Sequence, residues 1–218
     1  MSKYKIVIWD WNGTLLDDVK IGIEAMNILL KKRRLPLLTT EHYKQVFTFP
    51  VKDYYQTIGF DFDKEPFEIP AIEYMDRYFE LMPQAPLHKN TIPMLEWLKQ
   101  QGVTQVIMSA MEQEALQNSV NALSITNYFA SVCGCSNHYA NGKVEQSLQM
   151  MQQLGIEQSE ALFVGDTLHD YEVSEKIGCK CVLMAHGHQS SDRLKQKCDV
   201  VLENFDELKF WLEKNNLV

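Results

Sequence analysis

The sequence predicts an α/β fold, a Rossmann-like parallel-sheet core domain with an inserted all-helical cap domain. Three observations lead there. Short apolar runs of strand length alternate with stretches whose apolar residues recur at helical spacing, the rhythm of a sheet joined by crossover helices. The runs are apolar on successive positions, as in strands buried on both faces. One block, from about Leu16 to about Pro86, contains no such run and interrupts the alternation.

The first strand run is Ile6–Trp9. The helical block then opens with Ile21, Met26, Ile28, Leu29 and Leu30 in an amphipathic pattern that ends in the basic run Lys31–Arg34 and Pro36. Cations at a helix C-terminus complement its dipole. Further helical stretches fall at His42–Phe47, Val51–Ile58 and Ile72–Leu81, punctuated by Pro66, Pro70, Pro83 and Pro86. The alternation then resumes. Thr91–Gln101 is helical, with Ile92, Leu95 and Leu98 on one face; Val103–Met108 is a strand and Glu112–Leu123 a helix. Val144–Leu154, Leu168–Ile177 and Phe205–Lys214 read as helices; Ala161–Val164, Cys179–Met184 and Asp199–Leu202 read as strands. Gly102, Gly155 and Gly178 stand where helix C-caps are expected. The predicted division is a core of residues 1–15 and 87–218 with a cap of residues 16–86.

A length of 218 residues suits one domain with an insert, and 45% apolar residues suffice for its core. The net charge of −8, from 21 Lys+Arg against 29 Asp+Glu, gives no bulk attraction for nucleic acid or an anionic membrane, so neither is an expected partner. No run approaches the ~18 apolar residues of a membrane span, and the N-terminal apolar run meets Asp10 too soon for a signal peptide. The predicted location is the cytoplasm. Five cysteines, an odd number, argue against a disulfide framework. The C-x-C pairs Cys133/Cys135 and Cys179/Cys181 lack zinc-site spacing and read as small buried strand residues.

Four signals carry chemistry. Asp10-Trp11-Asn12-Gly13-Thr14-Leu15 follows the first strand directly, and ligands of open parallel sheets bind at the carboxyl ends of strands. Gly13 permits a sharp turn, and the Thr14 hydroxyl can bond an anion. Phe163-Val164-Gly165-Asp166-Thr167-Leu168-His169-Asp170 puts a second acid at a strand end. Asp166 and Asp170 are four residues apart, close enough to face one another on a helix start. Paired carboxylates repel unless a cation or a proton lies nearby, and Mg2+, which takes one or two carboxylates together with substrate phosphate, meets that need. An N-capping aspartate beside a solvated acid is the competing reading. Ser109, after the second strand, and Lys143, before a helix, are weaker signals alone. Together they give a nucleophilic carboxylate, a hydroxyl, a lysine and an acid pair in that order, each after a strand or at a helix start.

In these residues the chain resembles the haloacid dehalogenase superfamily, and most closely its phosphoglycolate phosphatase-like branch with a helical cap after the first motif. Asp10, Ser109, Lys143 and the pair Asp166/Asp170 match the four motifs in order; Phe49-Pro50-Val51 and Leu87-His88-Lys89-Asn90-Thr91 resemble the cap and cap-exit segments. The resemblance implies a phosphohydrolase acting on a small phosphorylated metabolite. Asp10 attacks phosphorus and forms an aspartyl-phosphate. Mg2+ is held by Asp10, the Asn12 carbonyl and Asp166, with Asp170 in the metal set to orient its shell; Thr14, Ser109 and Lys143 bind phosphate oxygens, Lys143 also offsets the charge on the catalytic Asp10, and the cap closes over the site.

The chain departs from that pattern at Asn12. The family's phosphatases carry there an aspartate that protonates the leaving oxygen and then activates water, which an amide cannot do. General acid–base catalysis is worth ~10²–10⁴-fold. Three readings follow: slow turnover favouring good leaving groups; a substitute proton donor among Asp17, Asp18, His88 and His186; or phosphate binding with little turnover. Deamidation of Asn12-Gly13 is a further route to an acid at this position. Mutase and phosphonatase chemistry, which the same superfamily includes, compete with simple hydrolysis. His188 reads as a loop residue without a special role, and His169 as a surface or supporting residue.

Overall fold

A computed structural model describes residues 3–135, 148–149, 151–153 and 155–216. Among the described residues six strands form one parallel sheet: β1 (Ile6–Trp9), β2 (Thr104–Glu112), β3 (Ser131–Cys135), β4 (Ala161–Gly165), β5 (Lys180–Met184) and β6 (Val201–Leu202), in the order β3-β2-β1-β4-β5-β6. Strand β1 lies between β2 and β4, in register Trp9↔Ile107 and Trp9↔Val164.

The strand pleat sends successive side chains to opposite faces, and both faces are covered. Val7 and Trp9 join Ile107, Val164 and Val182 in one cluster with Leu95 and Leu98 of α5 (Thr91–Gln100), Leu116 and Val120 of α6 (Gln113–Ala122), and Leu208 and Leu212 of α9 (Phe205–Lys214). Ile6 and Ile8 join Val106, Met108 and Phe163 in another, with Val173 and Ile177 of α7 (Leu168–Ile177). Burying each such aliphatic side chain is worth ~1.5–3 kcal/mol, so these two clusters hold the sheet and its crossover helices as one body. A short helix, α8 (Ser191–Leu194), follows β5 and buries Leu194.

Strand β3 is an element that hydrophobicity does not announce. It is an edge strand, so Ser131 and Gly134 are tolerated where a central strand would need bulk. A Cβ at Gly134 would sit 2.7 Å from the Met111 carbonyl, which explains the glycine beside an irregular stretch of β2. Strand β2 runs on to Glu112, past the predicted Met108, with a register shift between those residues. Cys133, Cys135 and Cys181 lie in strands, Cys179 just before β5, and all five cysteines are free. The predicted helix Val144–Leu154 lies partly outside the described residues; 148–149 and 151–153 are helical.

Residues 19–81 supply α1 (Val19–Lys32), α2 (Thr40–Val46), α3 (Val51–Thr57) and α4 (Glu68–Leu81). They close on their own cluster, which includes Ile23, Met26, Leu29, Leu30, Tyr43, Tyr54, Tyr55 and Phe60. Arg33 fastens the end of α1, pairing with Glu65 at 2.7 Å and Glu73 at 2.8 Å. Met75 is 43% exposed, beside Ile72 on the outer side of α4. The chain enters and leaves this unit side by side: Asp17 N donates to Pro86 O, His88 N donates to Leu15 O, and Leu16 bridges Leu87 antiparallel.

Candidate active site

Strands β1 and β4 are neighbours, and each ends in an acid. Asp10 follows Trp9 and donates its backbone N–H to Val164 O at 2.9 Å; Asp166 follows Gly165. Asp170 joins them from the first turn of α7. The carboxylate oxygens offered by Asp10, Asp166 and Asp170 lie within 4.8 Å of one another, and all three residues are buried. The helix start is a capping box: Thr167 caps the Asp170 N–H, and Asp170 Oδ2 accepts from Thr167 N at 3.1 Å and Thr167 Oγ1 at 2.7 Å. Thus Thr167 takes the N-cap place, and Asp170 serves the turn while facing the other acids.

The loops are drawn tightly around Asp166. Gly13 has φ +73°, the left-handed region, and a Cβ there would lie 2.9 Å from Asp166 Cγ. A Cβ on Gly187 would lie 2.5 Å from the same atom. Asp166 Oδ1 accepts from the Thr14 hydroxyl at 3.2 Å and Oδ2 from His188 N at 2.5 Å. Burial pushes the Asp166 carboxyl far above the ordinary range; His188 opposes this, and Asp170 and Asp10 add to it. Three buried acids at this separation form an all-oxygen donor set that fits a hard divalent cation rather than zinc.

Of the other predicted residues, Thr14 is buried, with its hydroxyl turned to Asp166. Ser109 is buried in β2, where its Oγ accepts from Met111 N at 3.1 Å. Register places it at the same end of the sheet as Asp10. Lys143 lies outside the described residues. The Asn12 amide donates to Asp18 Oδ2 at 3.0 Å and to the Tyr78 hydroxyl at 2.7 Å.

Among the four candidate proton donors, only Asp18 bonds the Asn12 side chain directly. His88 and His186 stack at 3.8 Å and donate from Nε2 to Gly13 O and Thr14 O. Burial lowers them to about 4 and about 3, so they are neutral braces of the Asp10 loop. Asp17 is 3.9 Å from His88 Nδ1, with its side chain 43% exposed.

Sequence reasoning missed His188. Its Nε2 faces Asp18 Oδ1 at 3.3 Å, and its Nδ1 bonds the Tyr43 hydroxyl at 2.8 Å. Burial alone would lower His188, but Asp18, Asp166 and Asp10 outweigh it and raise it to about 9. Burial would likewise raise Asp18, yet His188 and the hydrogen bonds from His188, Tyr78 and Asn12 hold it below the usual range. The available signals were the second acid of Asp17-Asp18 and the His186-Gly187-His188 run, remote from each other in sequence. His169, read as a surface or supporting residue, meets the Phe49 ring at 5.0 Å.

Helix α2 docks onto the loop after β5. Lys44 Nζ donates to the Ala185 and His186 carbonyls. Arg193 donates to Lys44 O at 3.1 Å and Phe47 O at 2.6 Å, and Gln189 donates to Phe47 O at 3.0 Å. No helix among the described residues is long and apolar enough to cross a membrane.

Comparison with known proteins agrees with this architecture. Phosphoglycolate phosphatase 1 of Pseudomonas aeruginosa is 22% identical over 94% of this chain and 78% of its own length. N-acetylmuramic acid 6-phosphate phosphatase of the same species is 24% identical over 94% of this chain and 93% of its own. A haloacid dehalogenase-like family hydrolase from Streptococcus pneumoniae superposes with a TM-score of 0.80 at 20% identity, covering 97% of this chain and all of the other. The family model for haloacid dehalogenase-like hydrolases matches residues 7–184, and with the acids at the ends of its two central strands this chain belongs to that family of enzymes.

Proposed function

We propose that the protein is a magnesium-dependent phosphohydrolase that cleaves a small cytoplasmic phosphate monoester through an aspartyl-phosphate on Asp10. One observation carries the reading: the buried cluster of Asp10, Asp166 and Asp170 at the carboxyl ends of the central strands. Asp10, Asp166, Asp170 and the Asn12 carbonyl would hold the metal. Bound there, Mg2+ supplies neutralisation and alignment of the phosphoryl group. An Asp10 oxygen attacks phosphorus as the ester P–O bond breaks, and the leaving oxygen departs with the electron pair and takes up a proton from solvent. Water then attacks phosphorus, releasing inorganic phosphate and the Asp10 carboxylate. Ser109 and Lys143 bind phosphate oxygens, as does Thr14 once its hydroxyl trades Asp166 for the anion. Residues 16–86 act as the cap that excludes water, and relatives named for two different phosphate esters support a small phosphorylated substrate.

The Asn12 amide neither gives up nor takes a proton at ordinary pH, so esters with good leaving groups are favoured. A second reading, phosphate binding with little turnover, draws on the commitment of the Asn12 amide to Asp18 and Tyr78. Phosphate release from p-nitrophenyl phosphate and from phosphoglycolate, with magnesium and with chelator, decides between them. Metal-dependent release by wild type, lost in Asp10→Asn, is the expected result. Magnesium-dependent phosphate binding without release would favour the second reading.

A further inference from the structure

We infer that Asp18 is the positioning residue of this site: it holds the Asn12 amide and the Asp10 loop in a fixed arrangement and ties both to the closed cap. The inference rests on the phosphatase reading above and deepens it. Asp18 is 1% exposed, and its carboxylate serves four partners. Oδ1 accepts from Gly13 N at 2.7 Å and faces His188 Nε2 at 3.3 Å. Oδ2 accepts from Tyr78 OH at 2.6 Å and from Asn12 Nδ2 at 3.0 Å.

The Asn12 amide cannot turn over in this setting. Its Nδ2 also donates to Tyr78 OH at 2.7 Å, so a flip would set Oδ1 against the Asp18 carboxylate, acceptor to acceptor. A carboxylate at position 12 meets the same conflict, with negative charge added. Asn12 and Asp18 are therefore a matched donor and acceptor, and the amide at position 12 is the partner this carboxylate requires. Two of the four partners reach back to the cap. Tyr78 belongs to α4, and His188 bonds Tyr43 of α2. The ring around Asp18 is complete only while those helices sit over the Asp10 loop.

The test measures kcat and KM for p-nitrophenyl phosphate with magnesium in Asp18→Asn, Asn12→Asp, the exchanged pair Asn12→Asp/Asp18→Asn, and Asp18→Asn in an Asn12→Ala background. A misplaced reacting group costs up to ~10²-fold in rate, so Asp18→Asn is expected to lower kcat ~10–100-fold with little change in KM. The same change in the Asn12→Ala background is expected to add little, because a positioning residue acts through its partner. Asn12→Asp alone is expected to fall below wild type, and the exchanged pair, which restores the hydrogen bond with donor and acceptor reversed, to rise above it. Hydrogen exchange of the peptide spanning Gly13 reads the hold on the loop without turnover, and Asp18→Ala is expected to speed it. An Asn12→Asp enzyme faster than wild type with Asp18 intact overturns the inference, as does a wild-type kcat in Asp18→Asn. If wild type releases no phosphate, the phosphatase reading falls by itself. Exchange at Gly13 then decides the positioning role: acceleration in Asp18→Ala supports it, and no change overturns it.

Discussion

Adding one methyl group at Gly187 tests whether Asp166 stands where catalysis needs it. A Cβ there would lie 2.5 Å from Asp166 Cγ, whereas carbon atoms rest at ~3.5–4.0 Å, so the carboxylate or the loop must retreat by ~1 Å. Rotation offers no escape, because Asp166 is pinned by Thr14 Oγ1 on one oxygen and His188 N on the other. A displacement of ~1 Å in a reacting constellation costs up to ~10²-fold, or about 2.7 kcal/mol of barrier. Gly187→Ala is therefore expected to lower kcat by about that factor and to raise the magnesium concentration needed for half-maximal rate. The assay is p-nitrophenyl phosphate hydrolysis across a magnesium titration, with thermal melting to confirm folding. Gly102→Ala is the control: nothing lies within 4 Å of a Cβ there, but φ is +74°. It is expected to cost about 1 kcal/mol of stability and leave kcat unchanged. A Gly187→Ala enzyme with wild-type kcat and magnesium dependence would remove Asp166 from the reacting centre.

Further outcomes follow from the same geometry. Mg2+ held only by the folded state is expected to stabilise it by about 2.7 kcal/mol at 100 times its Kd, and so to raise Tm; chelator reverses the gain, and a gain that survives in Asp166→Asn speaks against this site. His88 and His186 are lowered to about 4 and about 3 in the fold, against ~6.5 unfolded, so the unfolded chain takes up their protons first as pH falls. Their contribution is whole above pH ~6.5 and lost on falling toward ~4, at about 2 kcal/mol per histidine by pH 5. Urea unfolding at pH 7 and 5 should therefore show a smaller loss in His88→Gln than in wild type, and equal losses would refute the neutral pair. Arg193→Ala removes two hydrogen bonds from the end of α2 and is expected to speed hydrogen exchange in residues 44–49 and raise KM; unchanged exchange would mean that Arg193 does not fasten α2.

Much of the sheet was legible because its central strands are apolar without interruption: Ile6–Trp9 and Ala161–Val164 fit only a doubly covered position. Strand β3 escaped notice because an edge strand needs little apolar bulk, and Ser131 and Gly134 hide it. Asp10, Asp166 and Asp170 were readable together, since a strand end followed by an acid is a local signal and parallel strands bring such ends to one edge. The Asp18–His188 pair was not, because its partners stand 170 positions apart and meet only when the loop after β5 folds back across Gly13. Thr14 shows another limit. The hydroxyl that suggests an anion site spends its bond on Asp166, a choice made by distance and not by residue type.

The side-by-side linkers at Leu15–Asp17 and Pro86–His88 make the helical unit a graft on a self-sufficient stock. The two cut ends already touch, so joining residue 15 to residue 88 closes almost no loop and incurs little of the entropy that loop closure usually demands. The sheet's clusters take Leu16 and Ala85, next to the join, as buried members, and Ile21 and Met82 from the helical side at their margin. Different helical units could therefore be exchanged at this seam while the buried cluster of Asp10, Asp166 and Asp170 stays in place. Whatever replaced the present unit would still have to answer the buried charge of His188, which stays on the stock while its partner Asp18 leaves with the graft. That pair sets the terms on which any new graft could take.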